Sequence, residues 1–497
     1  MSELGDGKDG ALSVQLIGKL TRLPSERITT SLLERTLHSH DLAPVPPIIK
    51  ANYNNMPTAV LKPETTEEVA RIVASADSLK TCLIPKGRGT SYLWGSVPVV
   101  GGVIVDMVEM NQINDFSADG EWIEAGAGAT WEKVERYLEK RGFSLRVYPT
   151  SMPAATLGGW IASSGSGLGS GGSGVGSVMY GPVGKNLAGL EVVTGMGETL
   201  NLSEPEDIAD FVGADGITGF ITKVRLKIRK KPASIRRILI TAPDTEGTQR
   251  LVEAMGAMKS VYFAQFEDAS MLEIKTSLGL HAPLGVKGFL LFASLEGDAE
   301  TVSSECDQLK EMAGECGGKT LPEEEAQKEW EERLYPMRVK RGGPTVIAGE
   351  FMAPSSRLAL VLKDVYAEFP GGAAKQGIHG VVIEAPDVML MPQVFSDERK
   401  GLKFLASLAY VKRFNDIGRR HGGQPYGVGH LNAFNAKAVH GKAGYARLKA
   451  LKKKHDPGDI INPGKGIEHR TRFGFAAPLF MYNLSMFGLG LFRRLGV

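Results

Sequence analysis

Pro85-Lys86-Gly87-Arg88-Gly89-Thr90-Ser91 follows a short apolar run at 81–84, and its reading decides how the rest of the chain is read. Two glycines at the end of a strand let the main chain come close to an anion, and successive N–H groups in such a turn can cradle phosphate. The stretch has neither the spacing of a Walker loop nor that of a Rossmann fingerprint, and alone it reads as a structural turn. A second stretch begins at Pro149-Thr150-Ser151 and continues through Thr156-Leu157-Gly158-Gly159-Trp160-Ile161-Ala162-Ser163-Ser164-Gly165-Ser166-Gly167. Eleven glycines lie between Gly158 and Gly184, which removes side chains where a flat or charged ligand must lie against backbone. The hydroxyls of Ser163 and Ser164 can donate to phosphate or to a carbonyl. Leu157, Ile161 and Val183 frame this glycine cluster too closely for a flexible linker. A third stretch, Gly213-Ala214-Asp215-Gly216-Ile217-Thr218-Gly219-Phe220-Ile221-Thr222, turns on glycine and enters an alternating strand.

The chain of 497 residues is 42% hydrophobic and 23% charged, the balance of a folded protein of several domains. Its 58 Lys and Arg against 56 Asp and Glu leave a net charge of +2, which gives no electrostatic footprint for nucleic acid. Cys82, Cys306 and Cys316 form no CxxC, so neither a disulfide framework nor an iron–sulfur ligand set is visible. The polar start, MSELGDGKDGALSVQ, lacks the basic-then-apolar layout of a signal peptide, so a cytoplasmic protein is expected.

Residues 1–50 read as an N-terminal arm with helical fragments, such as 25–37, ending in a turn through Pro44, Pro46 and Pro47. Residues 51–232 alternate short apolar strands (81–85, 103–107, 190–194, 220–228) with amphipathic helices, one over 66–78 and another carrying Trp131, Val134 and Leu138 behind Thr130. From 233 to 465 the pattern changes to longer helices, at about 299–312, 356–368, 397–420 and 436–454. Residues 466–497 form an apolar tail. Within it, 473–492 contains no charged residue and is flanked by Arg470, Arg472, Arg493 and Arg494, so the tail is expected to bury itself on its own core or a partner, to lie on the cytoplasmic membrane surface, or to span the membrane.

The three glycine stretches, in this order and spacing, resemble the FAD-binding domain of the vanillyl-alcohol oxidase / p-cresol methylhydroxylase (PCMH) type, in particular the glycolate oxidase D-subunit and D-lactate dehydrogenase branch. The resemblance implies an α+β, two-domain fold: a PCMH-type FAD-binding domain followed by an FAD-linked oxidase domain that caps the substrate. It implies that Lys86, Gly87, Arg88, Gly89, Thr90 and Ser91 hold the pyrophosphate. Thr156, Gly158, Gly159, Ser163 and Gly165 would pass the flavin ring and ribityl chain, and Gly216, Gly219 and Ile221 the adenine side. Asp456-Pro457 through Ile461-Asn462-Pro463-Gly464-Lys465 resembles the ending that returns to the flavin, with Asn462 near its pyrimidine edge. Thr90 stands where covalently flavinylated relatives carry His, so the FAD is expected to be non-covalent. The extra glycines at 169–177 resemble an insertion and suggest a mobile cover.

The departures from the family are as informative. Where relatives carry two metal histidines and a histidine base, this chain reads Val382-Ile383-Glu384-Ala385-Pro386-Asp387-Val388-Met389 and Pro425-Tyr426-Gly427-Val428-Gly429, so no metal is expected. Tyr426 takes the place of the base with His430 just beyond, and either could serve. Arg338, with Lys340 as the alternative, resembles the residue that grips a substrate carboxylate. The resemblance thus implies a dehydrogenase of a small D-2-hydroxy acid, D-lactate or glycolate, with hydride passing to flavin N5 and electrons to an iron–sulfur subunit or a quinone. The alternatives are a redox-neutral flavoenzyme of the alkylglycerone-phosphate synthase kind and a flavin electron-transfer subunit of a larger complex.

Overall fold

Strands Ala59–Leu61 and Leu83–Lys86 both run parallel to Val103–Asp106, and the crossover between the first two contains helix Thr66–Ser78. In this computed structural model the described residues are 21–78, 80–369, 375–384, 386–473 and 483–489. The polar start of the chain and most of the apolar run at 473–492 therefore lie outside them. A continuous helix over 25–37 is not what forms. Ile28–Thr29, followed by Thr30, favours extended backbone, and it pairs antiparallel with Val60 and Leu61 as the edge of the small sheet. The helix of the arm is confined to Leu32–His38, and Arg27 grips Glu68 through two bonds of 2.8 and 2.6 Å.

A second sheet is built around Phe220–Lys230, which pairs antiparallel with Trp122–Gly126, Leu187–Val193 and Phe143–Leu145. Its sequence alternates as a half-buried strand must: Val224, Leu226 and Ile228 are buried while Lys223, Arg225 and Lys227 stay partly in water. Beside it, Trp131, Val134 and Leu138 form the buried face of helix Trp131–Glu139, capped by the Thr130 hydroxyl.

The second half of the chain is an eight-stranded sheet in which every pair is antiparallel, ordered Ser234–Ala242, Phe289–Gly297, Val261–Asp268, Gln376–Val382, Asp387–Ser396, Phe351–Pro354 and Gln424–Pro425, with Thr345–Ala348 also on Asp387–Ser396. Helices Ala299–Glu315, Leu358–Glu368 and Gly401–Arg420 pack in this half. One apolar cluster runs from Ile123 and Val224 across to Phe292, Met389 and Met391, so the two halves share a core.

After its last long helix, Ala436–His455, the chain re-enters the first half. Ile461 bridges Leu83 in parallel: Leu83 N–H donates to Ile460 O at 2.7 Å and Asn462 N–H to Leu83 O at 2.8 Å. The buried carboxylate of Asp456 shapes this return by accepting from the N–H groups of Ile460 and Ile461 and from Lys452 Nζ. Beyond it Phe473 is exposed, and residues 483–489 are helical with Leu484 and Phe487 in water. Among the described residues no helix is long and apolar enough to cross a membrane.

Asp456→Ala leaves two buried N–H groups without their acceptor and takes one partner from Lys452, which keeps Ile461 O and Asp459, and should cost about 2 kcal/mol or more. Chemical denaturation measures it, and a variant as stable as the parent would show that the return segment is held by other means.

Candidate active site

A cavity of about 310 Å³ opens where the three glycine stretches, the returning C-terminal segment and the large sheet meet. Lys86, Gly87, Arg88, Gly89, Thr90 and Ser91 line it, as do Thr156, Gly158, Gly159, Ser163, Gly165, Gly216, Gly219, Ile221 and Asn462. The residues expected to hold the cofactor are thus brought to one wall. From the large sheet come Glu350, Met389, Met391 and Tyr426.

Several side chains have other tasks than the sequence suggests. The Lys86 ammonium turns away from the cavity to the carbonyls of His40 at 2.8 Å and His38 at 3.1 Å, and burial lowers its pKa to about 8. What Lys86 offers the cavity is backbone, and the free cation of the loop is Arg88, which is exposed and forms no ion pair among the described residues. Asn462 spends its amide N–H groups on Gly95 O at 2.9 Å and Asp215 O at 2.8 Å, and its Oδ1 accepts from Lys465 Nζ at 2.6 Å. It clasps three segments together and has no amide hydrogen left for a ligand.

The glycines at 169–177 form a packed wall where a mobile cover was expected. Gly165 bridges Gly171, Val175 bridges Tyr148, and Ser173 N–H donates to the Tyr426 hydroxyl at 2.8 Å. Gly165 stands at φ +42° with Gly171 O so close that a Cβ would collide with it.

Tyr426 lines the cavity, yet burial raises its phenol pKa, the opposite of what a base requires. Its hydroxyl braces the Ser173 wall. His430 does not reach the cavity: Gly427 and Gly429, at φ +78° and +54°, turn the chain so that the ring lies between Trp94, Tyr53 and His469. There its Nδ1 bonds Gly464 O at 2.9 Å and burial drives its pKa well down. Arg338 is also elsewhere, paired to Glu332 at 2.6 Å beside a small separate cleft that holds Glu267, Lys275, Glu329 and His379. Neither Arg338 nor Lys340 lines the cavity.

The side chain that sequence reading missed is Glu350. It sits between strands Thr345–Ala348 and Phe351–Pro354, where Gly349 N–H donates to Pro392 O and Tyr426 N–H to Glu350 O at 2.9 Å, so its carboxylate faces the cavity near Tyr92 and Tyr426. It has no hydrogen-bond or ion-pair partner among the described residues, and burial raises its pKa to about 7. No motif surrounds it, and a Gly-Glu pair between two apolar runs reads as a turn. Among the described residues no group of three or more His, Cys, Asp or Glu is arranged to hold a metal ion.

Bare backbone on three loops and an exposed Arg88 without an ion-pair partner among the described residues fit a long ligand with a flat ring and a diphosphate. Residues 57–203 match the FAD binding domain family and residues 232–466 the C-terminal domain of FAD linked oxidases. The glycolate oxidase subunit GlcD of Bacillus subtilis is 26% identical over 88% of this chain and 94% of its own. The mitochondrial D-lactate dehydrogenase (cytochrome) of Arabidopsis thaliana is 24% identical, over 92% and 81%. The D-2-hydroxyglutarate dehydrogenase of Stutzerimonas stutzeri is 23% identical, over 82% and 90%. Among solved structures, p-cresol methylhydroxylase superposes with a TM-score of 0.74 at 16% identity, covering 93% of this chain and 97% of its own. Alkyldihydroxyacetonephosphate synthase superposes with a TM-score of 0.70 at 18% identity, covering 90% and 85%. The fold is the two-domain PCMH-type fold, and FAD is the cofactor. The chain belongs to the FAD-dependent oxidoreductases that join these two domains.

Two outcomes follow for the cofactor. With Thr90 in the first loop, acid precipitation of the loaded protein should release the yellow flavin into the supernatant, and flavin retained in the pellet would disprove non-covalent binding. Gly165→Ala, which must push Gly171 aside at a positive φ, should lower FAD occupancy and cost about 1–3 kcal/mol in thermal or chemical unfolding.

Proposed function

We propose that this chain is a flavin-dependent dehydrogenase of a CH–OH group, with Glu350 as the acceptor of the hydroxyl proton. The observation that carries the reading is the unpartnered carboxylate on the cavity wall, with a pKa raised to about 7 by burial alone. A group titrating near the working pH is suited to proton transfer, since it is ionised when the substrate arrives and basic enough to take the proton. When bound, FAD supplies the two-electron acceptor for the hydrogen on the carbinol carbon. Tyr92, whose pKa is pushed up to about 12 mainly by burial, stays protonated and is the donor available to the substrate oxygen. Tyr426 holds the Ser173 wall against that oxygen, and Met389 and Met391 exclude water from the carbon skeleton.

The names of the relatives support a small D-2-hydroxy acid such as D-lactate or glycolate as the substrate. Arg338 pairs with Glu332 outside the cavity, so it is not the residue that would grip a substrate carboxylate there. Electrons leave for a separate acceptor, an iron–sulfur protein or a quinone, since the three dispersed cysteines of this sequence supply no cluster ligand set. The exposed Phe473, Leu484 and Phe487, with Arg470 and Arg472 nearby in sequence, support contact of the tail with a membrane surface or with that acceptor.

Glu350→Gln keeps shape and removes the base. Flavin reduction followed anaerobically should slow about 100-fold or more while FAD content is unchanged. Because the carboxyl must be ionised, the parent's rate should fall as pH drops through about 7. The phenols of Tyr92 and Tyr426, which face the same carboxylate, remain neutral throughout that range. An acid limb that survives in Glu350→Gln, or an unchanged rate, would remove Glu350 from this role.

A further inference from the structure

The large sheet gives the cavity four side chains: one carboxylate, Glu350, two thioethers, Met389 and Met391, and one phenol, Tyr426. The two cationic residues on the cavity wall are Lys86 and Arg88, both in the first glycine loop, and the Lys86 ammonium is spent on His38 and His40 carbonyls. The other cationic groups of this half, His379, Lys275, Arg333 and Arg338, do not line the cavity. His379, the partner of Met391 across the strand pair, leads into a buried cluster where Lys275 is shared by Glu267 at 2.7 Å and Glu329 at 3.2 Å. Arg338 pairs with Glu332, and Arg333 bonds Tyr148 Oη and Trp330 O. A carboxylate held against Met389 and Met391 would therefore lose its water without gaining a counter-charge, and would share the cavity with the Glu350 carboxylate. Both effects oppose an anion, and neither opposes a neutral or cationic group of the same shape.

We propose that Glu350 gives the large-sheet end of the cavity a charge filter, so that the chain accepts an uncharged or cationic alcohol and rejects the carboxylate of a 2-hydroxy acid. The inference rests on the dehydrogenase reading only for placing the substrate at that end. Apolar walls bind the carbon skeleton by burial, the carboxylate attracts an ammonium or accepts from an amide or hydroxyl, and an anion is turned away. Specificity of this kind comes from a repulsive element in the site as much as from an attractive one.

Three ligands of nearly one shape read the filter: D-lactate, D-lactamide and (R)-1-amino-2-propanol, which carry a negative, a neutral and a positive group on the same hydroxy-bearing carbon. Each is titrated anaerobically into the FAD-loaded protein at pH 8, and the change in the flavin absorption spectrum gives its dissociation constant whether or not the flavin is reduced. D-lactamide and the amino alcohol should bind at least about 10-fold more tightly than D-lactate, and in Glu350→Gln the gap should close to within about 2-fold. D-lactate binding as tightly as the amide, a gap that persists in Glu350→Gln, or no spectral change with any of the three would overturn the proposal. Bleaching in the same titrations reports on the reaction separately. Perturbation in the proposed order without bleaching keeps the filter and removes the dehydrogenase reading. Bleaching by D-lactate with the tighter constant keeps the reaction and removes the filter.

Discussion

Everything around the cavity depends on the side chain of Asn462. Its two amide hydrogens go to Gly95 O and Asp215 O, its oxygen takes the buried Lys465 ammonium, and its N–H pairs with Leu83 O. One residue thus joins the end of the first glycine loop, the third glycine turn and the C-terminal return. Asn suits the place because its backbone stands at φ +49°, in the left-handed region that Asn tolerates better than most residues. Around it burial governs the charges. Lys465 is 1% exposed and its pKa falls to about 7, while Asp215 rises to about 6 and accepts the N–H of Gly429. Glycine-rich loops have little packing of their own, so their geometry is set by these polar clasps.

That dependence explains why so much of the cavity lining was legible from sequence. A turn that must bring backbone to a ligand shows itself as glycine, and three such turns in a fixed order are hard to confuse with linkers. The helix Thr66–Ser78 and the alternation in Phe220–Lys230 were legible for a similar reason, since periodicity records which face is buried. Where the reading failed, the deciding fact was the direction of a side chain. Lys86 lies in the expected loop but its ammonium meets the N-terminal arm, whose strand Ile28–Thr29 was itself unforeseen because its pairing with Val60 and Leu61 is a tertiary event. Tyr426 and His430 are four residues apart, and two left-handed glycines between them send one to the cavity and the other to a wall of aromatic rings. Glu350 carries no pattern. Its importance arises from what its neighbours leave unpaired, which no local spacing records.

The large sheet separates two kinds of acidic group. In the cleft beside Arg338, Glu267 and Glu329 share Lys275, and Glu332 has Arg338, so each carboxylate there has a cation or a donor and serves structure. Such a buried cluster is costly to break and adds little beyond an apolar replacement, so its value lies in fixing one arrangement of strands and helices. Glu350 is the opposite case. It is buried against protein on its backbone side, open to the cavity on the other, and left without a cation, which holds its charge in a poised state near neutrality.

A division of labour follows from where the charges are placed. The glycine loops offer the cavity mostly backbone, clasped in place by Asn462, and the fold they belong to is kept at identities of 16–18%. The large sheet faces that cradle with only a few side chains, and a change in any of them alters the substrate without disturbing the cofactor. In this chain those side chains are one carboxylate, two thioethers and a phenol, with neither a histidine nor Arg338 among them. The carboxylate sets the sign of the charge on that wall, and the glycine loops opposite it do not depend on it.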